Sequence, residues 1–270
     1  MSAVLSSTST VPLRSGRAMP VIGLGTWQLV EDTADTVSYA LDIGYAMIDT
    51  ACDYGSQAGI GEALERRKRR EDVYVVAKVE EDDDAYLATR KYLDEMKLDH
   101  ADLMLIHRPP PDGVGEQLWQ GLVRAREEGL TRDIGVSNYT IEQIRELHDA
   151  TGEWPIVNQI EWSPFGHSLQ MLDFCREQGI VIQAYSPLTR SERLRDELLT
   201  AIAQRHGRTP AQILLRWNLQ LGTVPLPKAN RRKHLEENFG VFDFELPDSE
   251  MKALSALNEQ YSALGMLAYA

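Results

Sequence analysis

Cysteine is almost missing: Cys52 and Cys175 are the two in 270 residues. Two thiols cannot build a disulfide framework, so the fold must hold by packing and suits a reducing compartment. Cys175 reads as a small buried thiol. Cys52, two residues before Tyr54, reads either the same way or as an oxidation-sensitive group. Basic charge is also short, with 28 Lys and Arg against 41 Asp and Glu and a net charge of −13. Polyanions and acidic lipid surfaces attract basic patches, so no nucleic-acid and no membrane partner is expected. Long apolar runs are missing too, since none approaches the ~20 residues of a membrane span. Residues 1–10 are rich in Ser and Thr and show neither the basic start nor the apolar stretch of a signal peptide. A cytoplasmic protein with a flexible segment 1–10 is the expectation.

Common nucleotide and metal motifs are absent. Gly23-Leu24-Gly25 is followed by Thr26, Trp27 and Gln28, so the third glycine of G-x-G-x-x-G is missing, and no acidic residue stands at the ribose position. That sets aside a doubly wound dinucleotide fold. Neither G-x-x-x-x-G-K-[ST] nor H-E-x-x-H occurs, which removes the commonest NTPase and zinc-protease readings. The six histidines, His100, His107, His148, His167, His206 and His234, form no i, i+4 pair, and no metal is expected.

What is present is a rhythm. Apolar strand candidates at residues 21–25, 46–49, 73–77, 102–106, 132–136, 156–160, 180–184 and 223–226 alternate with helical patterns. Helices are predicted near residues 33–43, 56–66, 85–96, 115–128, 140–150, 168–178, 193–206 and 210–219, with a last one near 248–257. Repeated strand–helix units call for a parallel sheet. Eight of them in 270 residues of 43% hydrophobic composition suit one domain, a (β/α)8 TIM barrel, which commonly needs about 250 residues. Ahead of them, residues 11–20 place Arg14-Ser15-Gly16-Arg17 between two short extended runs and predict a β-hairpin. Two charge runs have structural explanations, because Asp82-Asp83-Asp84 at a helix start and residues 66–70 at a helix end both complement the helix dipole.

In that frame Asp49, Tyr54, Lys78 and His107 each sit just past an apolar run. They face one another at the strand C-termini, where barrels carry their chemistry. A phenol beside an ammonium and an imidazole is a proton-donating set. Tyrosine, with an ordinary pKa of about 10, is a poor acid, and Lys78 is expected to lower that pKa by stabilising the phenolate while Asp49 holds the lysine. His107 would donate to a carbonyl oxygen and orient it.

The motifs around these residues are Gly23-Leu24-Gly25-Thr26-Trp27, Ile48-Asp49-Thr50-Ala51, Asp53-Tyr54-Gly55, Ala77-Lys78-Val79, Leu105-Ile106-His107-Arg108-Pro109, Ile134-Gly135-Val136-Ser137-Asn138, Val157-Asn158-Gln159-Ile160-Glu161, Ala184-Tyr185-Ser186-Pro187-Leu188, Pro227-Lys228 and Glu237-Asn238. Any one is weak. In this order, nearly end to end, the chain resembles the aldo-keto reductases, as a short-loop, prokaryotic-like member. The resemblance implies a barrel whose bottom the N-terminal hairpin closes, and reduction of an aldehyde or ketone by NADPH and/or NADH with Tyr54 as proton donor. It also implies that Ser137, Asn138 and Gln159 hold the nicotinamide carboxamide, that Tyr185 stacks on the ring, and that Gly25 and Thr26 belong to the cofactor site. Ser186, Pro187, Leu188 and Arg193 would follow the pyrophosphate, and Glu237 and Asn238 the adenine.

Lys228, Ala229, Asn230 and His234 fall at the adenosine phosphate, in the most basic short run of this acidic chain. Relatives commonly read the NADPH phosphate with a Lys-Ser pair and an arginine. Here Ala229 takes the serine position and His234 the arginine position. A neutral imidazole lacks the permanent bidentate charge of guanidinium, so NADPH preference is expected to weaken unless Arg231, Arg232 or Lys233 reach the phosphate.

Trp27, Glu80 and Arg108 are the substrate-pocket candidates. Trp27 offers an apolar wall. Glu80 and Arg108 replace aromatics that relatives often carry; they either pair with each other or with solvent, or Arg108 holds a substrate carboxylate or hydroxyl. The short stretch 109–115 implies an open pocket. Tyr54-Gly55-Ser56-Gln57 departs from the family's Y-G-N-E, which alters loop packing without removing the tyrosine. Two other functions are open: an NAD(P)-dependent alcohol or sugar dehydrogenase using the same site in reverse, and a cofactor-binding regulatory barrel with negligible turnover. A small-molecule carbonyl is the expected partner, with the protein a monomer or weak oligomer.

Overall fold

In the computed structural model of the protein, residues 5–29, 32–67, 70–265 and 267–269 are described. Two short strands open the chain: β1 (Thr10–Pro12) pairs antiparallel with β2 (Ala18–Pro20), as the hairpin expectation required. Gly16 makes the turn with a left-handed φ of 84°. Residues 1–4 of the segment predicted to be flexible lie outside the described residues. The remainder is tied down, since the Ser9 amide donates to the Ser6 carbonyl and the Val21 amide donates to that of Ser9. Arg14 and Arg17 donate to the carbonyls of Gln178 and Arg132, next to the N-terminal ends of later strands. Leu13 and Met19 meanwhile join the apolar cluster inside the barrel, so the hairpin plugs its lower end.

The remaining elements alternate: β3 (Leu24–Gly25), α1 (Thr33–Ile43), β4 (Met47–Asp49), α2 (Gln57–Arg67), β5 (Tyr74–Val79), α3 (Ala85–Met96), β6 (Ala101–Ile106), α4 (Glu116–Glu127), β7 (Thr131–Ser137), α5 (Ile141–Thr151), β8 (Val157–Glu161), α6 (Leu169–Gln178), β9 (Val181–Tyr185), α7 (Glu197–His206), α8 (Pro210–Leu221), β10 (Val224–Pro225), α9 (Arg232–Phe239) and α10 (Asp248–Ser255). Strands β3 to β10 form one parallel sheet in sequence order. The Gly23 and Gly25 amides donate to the Pro225 and Pro227 carbonyls at 3.1 Å each, so the first strand meets the last and the sheet closes. Closure also explains the glycines. A Cβ on Gly25 would lie 2.9 Å from the Leu226 carbonyl oxygen, so this Gly-Leu-Gly serves close strand approach and not a phosphate loop.

Apolar residues fill two layers. Met47, Val76, Leu103, Leu105, Val157 and Val224 pack inside the barrel, while Ile48, Val75, Met104, Ile134, Ile160 and Ile182 meet the surrounding helices. Strand alternation sends successive side chains to opposite layers. Local signals set the helix ends. Thr140 and Thr209 form capping boxes with Gln143 and Gln212, and Gly152, Gly179, Gly207 and Gly222 terminate their helices in left-handed geometry. Asp84 caps α3, accepting from the Tyr86 and Leu87 amides, which accounts for its place in the acidic run. In the basic run Arg66 pairs with Asp35 and Glu62, Arg67 with Asp42 and Arg70 with Asp102; Lys68 and Arg69 lie outside the described residues.

Four elements depart clearly from the sequence expectation. The first and last barrel strands are two residues each, and the helix predicted from residue 193 begins at Glu197 behind its Asp196 cap. Helix α9 was not predicted, because only Leu235 and Asn238 of its eight residues are buried and no apolar stripe marks it. Among the described residues no helix is long and apolar enough to cross a membrane.

Candidate active site

Asp49 ends β4, Lys78 lies near the end of β5 and His107 follows β6, so parallel pairing brings all three to one mouth. Lys78 is fully buried. Its Nζ donates to Asp49 Oδ1 and Oδ2 at 2.9 and 3.0 Å and to the Thr50 carbonyl at 2.9 Å. Asp49 Oδ1 also accepts from Gln159 Nε2 at 2.8 Å. Burial lowers the Lys78 pKa, but the charge of Asp49 and the interaction with Tyr54 outweigh it, and the net direction is up, so the ammonium persists.

Tyr54 closes the short 3-10 turn Cys52–Tyr54, which Gly55 ends at φ 66°. The departures at Ser56 and Gln57 stitch this turn down. Ser56 Oγ bonds Thr26 Oγ1 and Thr50 Oγ1 at 2.9 and 2.8 Å, and Gln57 Nε2 donates to the Ala51 and Cys52 carbonyls. Lys78 Nζ stands 5.1 Å from the Tyr54 ring centroid, and the His107 ring meets it edge-on at 6.0 Å.

The expected lowering of the Tyr54 pKa needs correction. Burial raises it, Lys78 lowers it, Asp49 and Asp53 raise it, and the net direction is up. Lys78 cannot act as a lone cation, because the carboxylate that holds it offsets much of its field. The phenol therefore keeps its proton through the neutral range, which is the form an acid needs. Cys52 is no exposed thiolate either: burial, then its hydrogen bond to Glu80, pushes its pKa up to about 12, and a protonated thiol is a poor target for oxidation.

Asp49, Tyr54 and His107 open into a cavity of about 520 Å³ that Trp27 and Arg108 also line, with Lys78 behind it. Glu80 does not line it. Its Oε1 lies 2.7 Å from His107 Nδ1, on the far side of the imidazole, so the substrate-pocket assignment is replaced by a contact with His107. Arg108 does not pair with Glu80 either; it approaches Glu81 at 3.9 Å and stays partly exposed.

Of the cofactor candidates, Gly25, Ser137, Asn138, Gln159, Tyr185 and Ser186 line the cavity, as do Leu188, Lys228, Ala229, Asn230 and His234. Thr26 lies beneath it, donating to the Asp49 carbonyl. Glu237 approaches Lys233 at 3.7 Å and Asn238 is buried within α9, so neither reaches the cavity. The polar groups that remain free fit a nicotinamide carboxamide. Gln159 Nε2 is spent on Asp49 and Gln183, and Asn138 Nδ2 on the His107 carbonyl and Ser137 Oγ. The atoms left to a ligand are acceptors, Gln159 Oε1 and the second lone pair of Asn138 Oδ1, whose first takes the Tyr185 hydroxyl at 2.7 Å. An amide nitrogen with two N–H groups suits them.

Near the predicted phosphate position, Arg232 stacks on Tyr39 at 4.5 Å and Lys233 leans toward Glu237. Lys228 and His234 are the basic side chains from this run that line the cavity, and α9 starts beside them without a side-chain cap, leaving backbone N–H groups suited to an anion. Arg190 is a lining residue that sequence reasoning missed. Its guanidinium lies 4.1 Å over Trp27, on a stretch where Ser186, Thr189, Arg190 and Ser191 have φ of 47°, 51°, 50° and 73°. None of the four is glycine, so no local signal existed. The C-terminal Leu264 also lines the cavity, and Glu161 holds its neighbour Ala263 by the backbone amide at 2.7 Å.

A model of the aldo/keto reductase family matches residues 21–259. An aldo-keto reductase of Mycobacterium tuberculosis is 40% identical over 261 residues, covering 94% of this chain and 93% of that protein. A glyoxal reductase of Bacillus subtilis is 36% identical over 261 residues, covering 94% of each. Among solved structures, an aldo/keto reductase from Brucella melitensis superposes with a TM-score of 0.88 at 35% identity, over 93% of this chain and 99% of that one. An aldo-keto reductase of Bombyx mori in complex with NADP also reaches 0.88, at 30% identity over 94% of each chain. The chain belongs to the aldo/keto reductase family, and is thus an NAD(P)H-dependent oxidoreductase of small carbonyl compounds.

Proposed function

We propose that this enzyme reduces an aldehyde or ketone to the alcohol, with Tyr54 as the proton donor. The observation that carries the reading is the Tyr54 phenol held between the buried Asp49–Lys78 pair and His107 in one cavity. When bound, the reduced nicotinamide supplies a hydride to the carbonyl carbon. Tyr54 gives its phenolic proton to the carbonyl oxygen. Lys78 stabilises the phenolate left behind, and Asp49 keeps Lys78 charged and in place. His107 orients the oxygen. Gln159 and Asn138 offer acceptors to the carboxamide, and Tyr185 offers the stacking face. In the reverse direction the Tyr54 phenolate would take the proton of an alcohol, so a dehydrogenase differs only in direction. A barrel without turnover is disfavoured because all four catalytic positions are kept.

Titration of the protein with NADPH and NADH, followed by tryptophan and tyrosine fluorescence, tests the cofactor side. Lys228, the His234 imidazole in place of a guanidinium and the uncapped start of α9 together should hold the extra phosphate weakly, so the two Kd values should lie within about tenfold, about 1.4 kcal/mol. Binding of neither would remove the reductase reading.

Arg108 stands beside His107 with only a loose partner, and suits a substrate that carries an anionic group near its carbonyl. Arg108→Leu should raise KM for an α-oxo acid by roughly tenfold, the loss of one charge-assisted hydrogen bond, and leave a neutral aldehyde unaffected. Equal effects on both substrates would place Arg108 outside the recognition site.

A further inference from the structure

Glu80 follows β5 directly and is locked into place. Its Oε1 lies 2.7 Å from His107 Nδ1 and accepts from Cys52 Sγ at 2.7 Å. Its backbone amide donates to Asp83 Oδ2 at 2.8 Å, and that oxygen also accepts from the Tyr92 hydroxyl at 3.1 Å. The His107 backbone is fixed as well, its amide donating to the Val79 carbonyl at 2.8 Å and its own carbonyl accepting from Asn138 Nδ2 at 3.0 Å. Burial raises the Glu80 pKa, but hydrogen bonds from His107 and Cys52 and the nearby charges bring it down to about 2. Glu80 is thus a carboxylate across the working range.

An ionised carboxylate only accepts hydrogen bonds, so the 2.7 Å contact requires the proton on His107 Nδ1. A neutral imidazole has one N–H. Its other nitrogen, Nε2, then carries a lone pair. A carbonyl oxygen is also only an acceptor, so neutral His107 has nothing to give it. The imidazolium, with N–H at both nitrogens, can donate. An alcohol hydroxyl is a donor and suits the neutral ring.

We propose that Glu80 is a positioning residue that fixes the neutral His107 as its Nδ1–H tautomer, so that doubly protonated His107 binds the carbonyl and neutral His107 binds the alcohol. The proposal rests on the carbonyl-reductase reading and gives that site a proton-dependent direction: acid favours reduction, alkali favours oxidation. The other titratable groups around His107 are Tyr54, Cys52 and Asp53 on the turn after β4, the Asp49–Lys78 pair beyond Tyr54, Arg108 with Glu81, and Tyr185 on β9. Among the described residues Glu80 alone bonds Nδ1.

Histidine 15N NMR of the resting protein reads the tautomer without turnover, with His107→Asn identifying the signal by difference. At alkaline pH the wild type should show the proton on Nδ1, and Glu80→Leu should move it to Nε2. In kinetics, reduction by the wild type should fall as the pH rises, while Glu80→Leu, whose neutral ring is free to carry its proton on Nε2, should retain about tenfold more of its acid-side rate, the worth of one charge-assisted hydrogen bond. An Nε2–H signal in the wild type overturns the proposal, and so does an unchanged pH profile in a folded Glu80→Leu. Should that variant fail to fold, the wild-type tautomer decides alone. Absence of cofactor binding would remove the reductase reading but leave the tautomer result standing, so the two failures are distinguishable.

Discussion

Tyr54→Phe should reduce kcat for carbonyl reduction by about 10²–10⁴-fold, the usual worth of a positioned general acid, while cofactor Kd stays at the wild-type value. The change removes one hydroxyl and keeps the ring that meets His107 edge-on and faces Lys78, so packing is preserved. The raised pKa of Tyr54 adds a pH expectation with a definite sign. A phenol is protonated below its pKa, and burial raises that of Tyr54 above its ordinary value, with Lys78 opposing and Asp49 and Asp53 adding to the rise. The free enzyme should therefore not lose its acid until above about pH 10, and oxidation, which needs the phenolate, should still be rising there. Any fall in reduction at lower pH belongs to another group. Steady-state rates from NAD(P)H absorbance and fluorescence titration of the same preparation decide the matter. Full turnover in Tyr54→Phe would move the proton source elsewhere.

Lys78→Met should both abolish turnover and unfold the protein more easily. Lys78 is fully buried, and its ammonium is the sole ion-pair partner of Asp49 among the described residues. Methionine fills similar space but leaves Asp49 a buried carboxylate with Gln159 as its remaining side-chain donor. Removing one partner of a buried pair costs about 3–5 kcal/mol, because the stranded charge keeps its desolvation penalty. In a protein of this size that corresponds to a drop in Tm on the order of 10 °C. The double variant Asp49→Asn/Lys78→Met carries no charge there and should recover most of the stability with none of the activity. Thermal unfolding and activity measured together separate the two roles of the pair. A single variant as stable as wild type would mean that water or a shifted proton satisfies Asp49.

The strands and most helices were legible because each carries its own signal. Apolar runs mark strands, and Thr140, Ser168 and Thr209 mark helix starts where the structure has them, whereas the Asp196 cap lies three residues past the start read for its helix. Asp49, Lys78 and His107 were legible for a related reason. In a parallel barrel every strand ends at the same mouth, so position along the strand already assigns the face. Helix α9 was not legible, since it buries too little to show a period. The left-handed stretch around Arg190 escaped because its residue types do not announce their backbone.

The sequence by itself determined the barrel and placed Asp49, Lys78 and His107 at its mouth, since these follow from local periodicity and from position at strand ends, and its ordered motifs carried the family. Only the tertiary structure decided what each side chain touches. It turned Glu80 from the substrate pocket to the back of His107, kept Thr26, Glu237 and Asn238 out of the cavity, and set the Tyr54 pKa upward. Hydrogen-bond partners and pKa values depend on burial and on charges brought close from distant parts of the chain. A linear pattern names those groups but does not contain the distances between them.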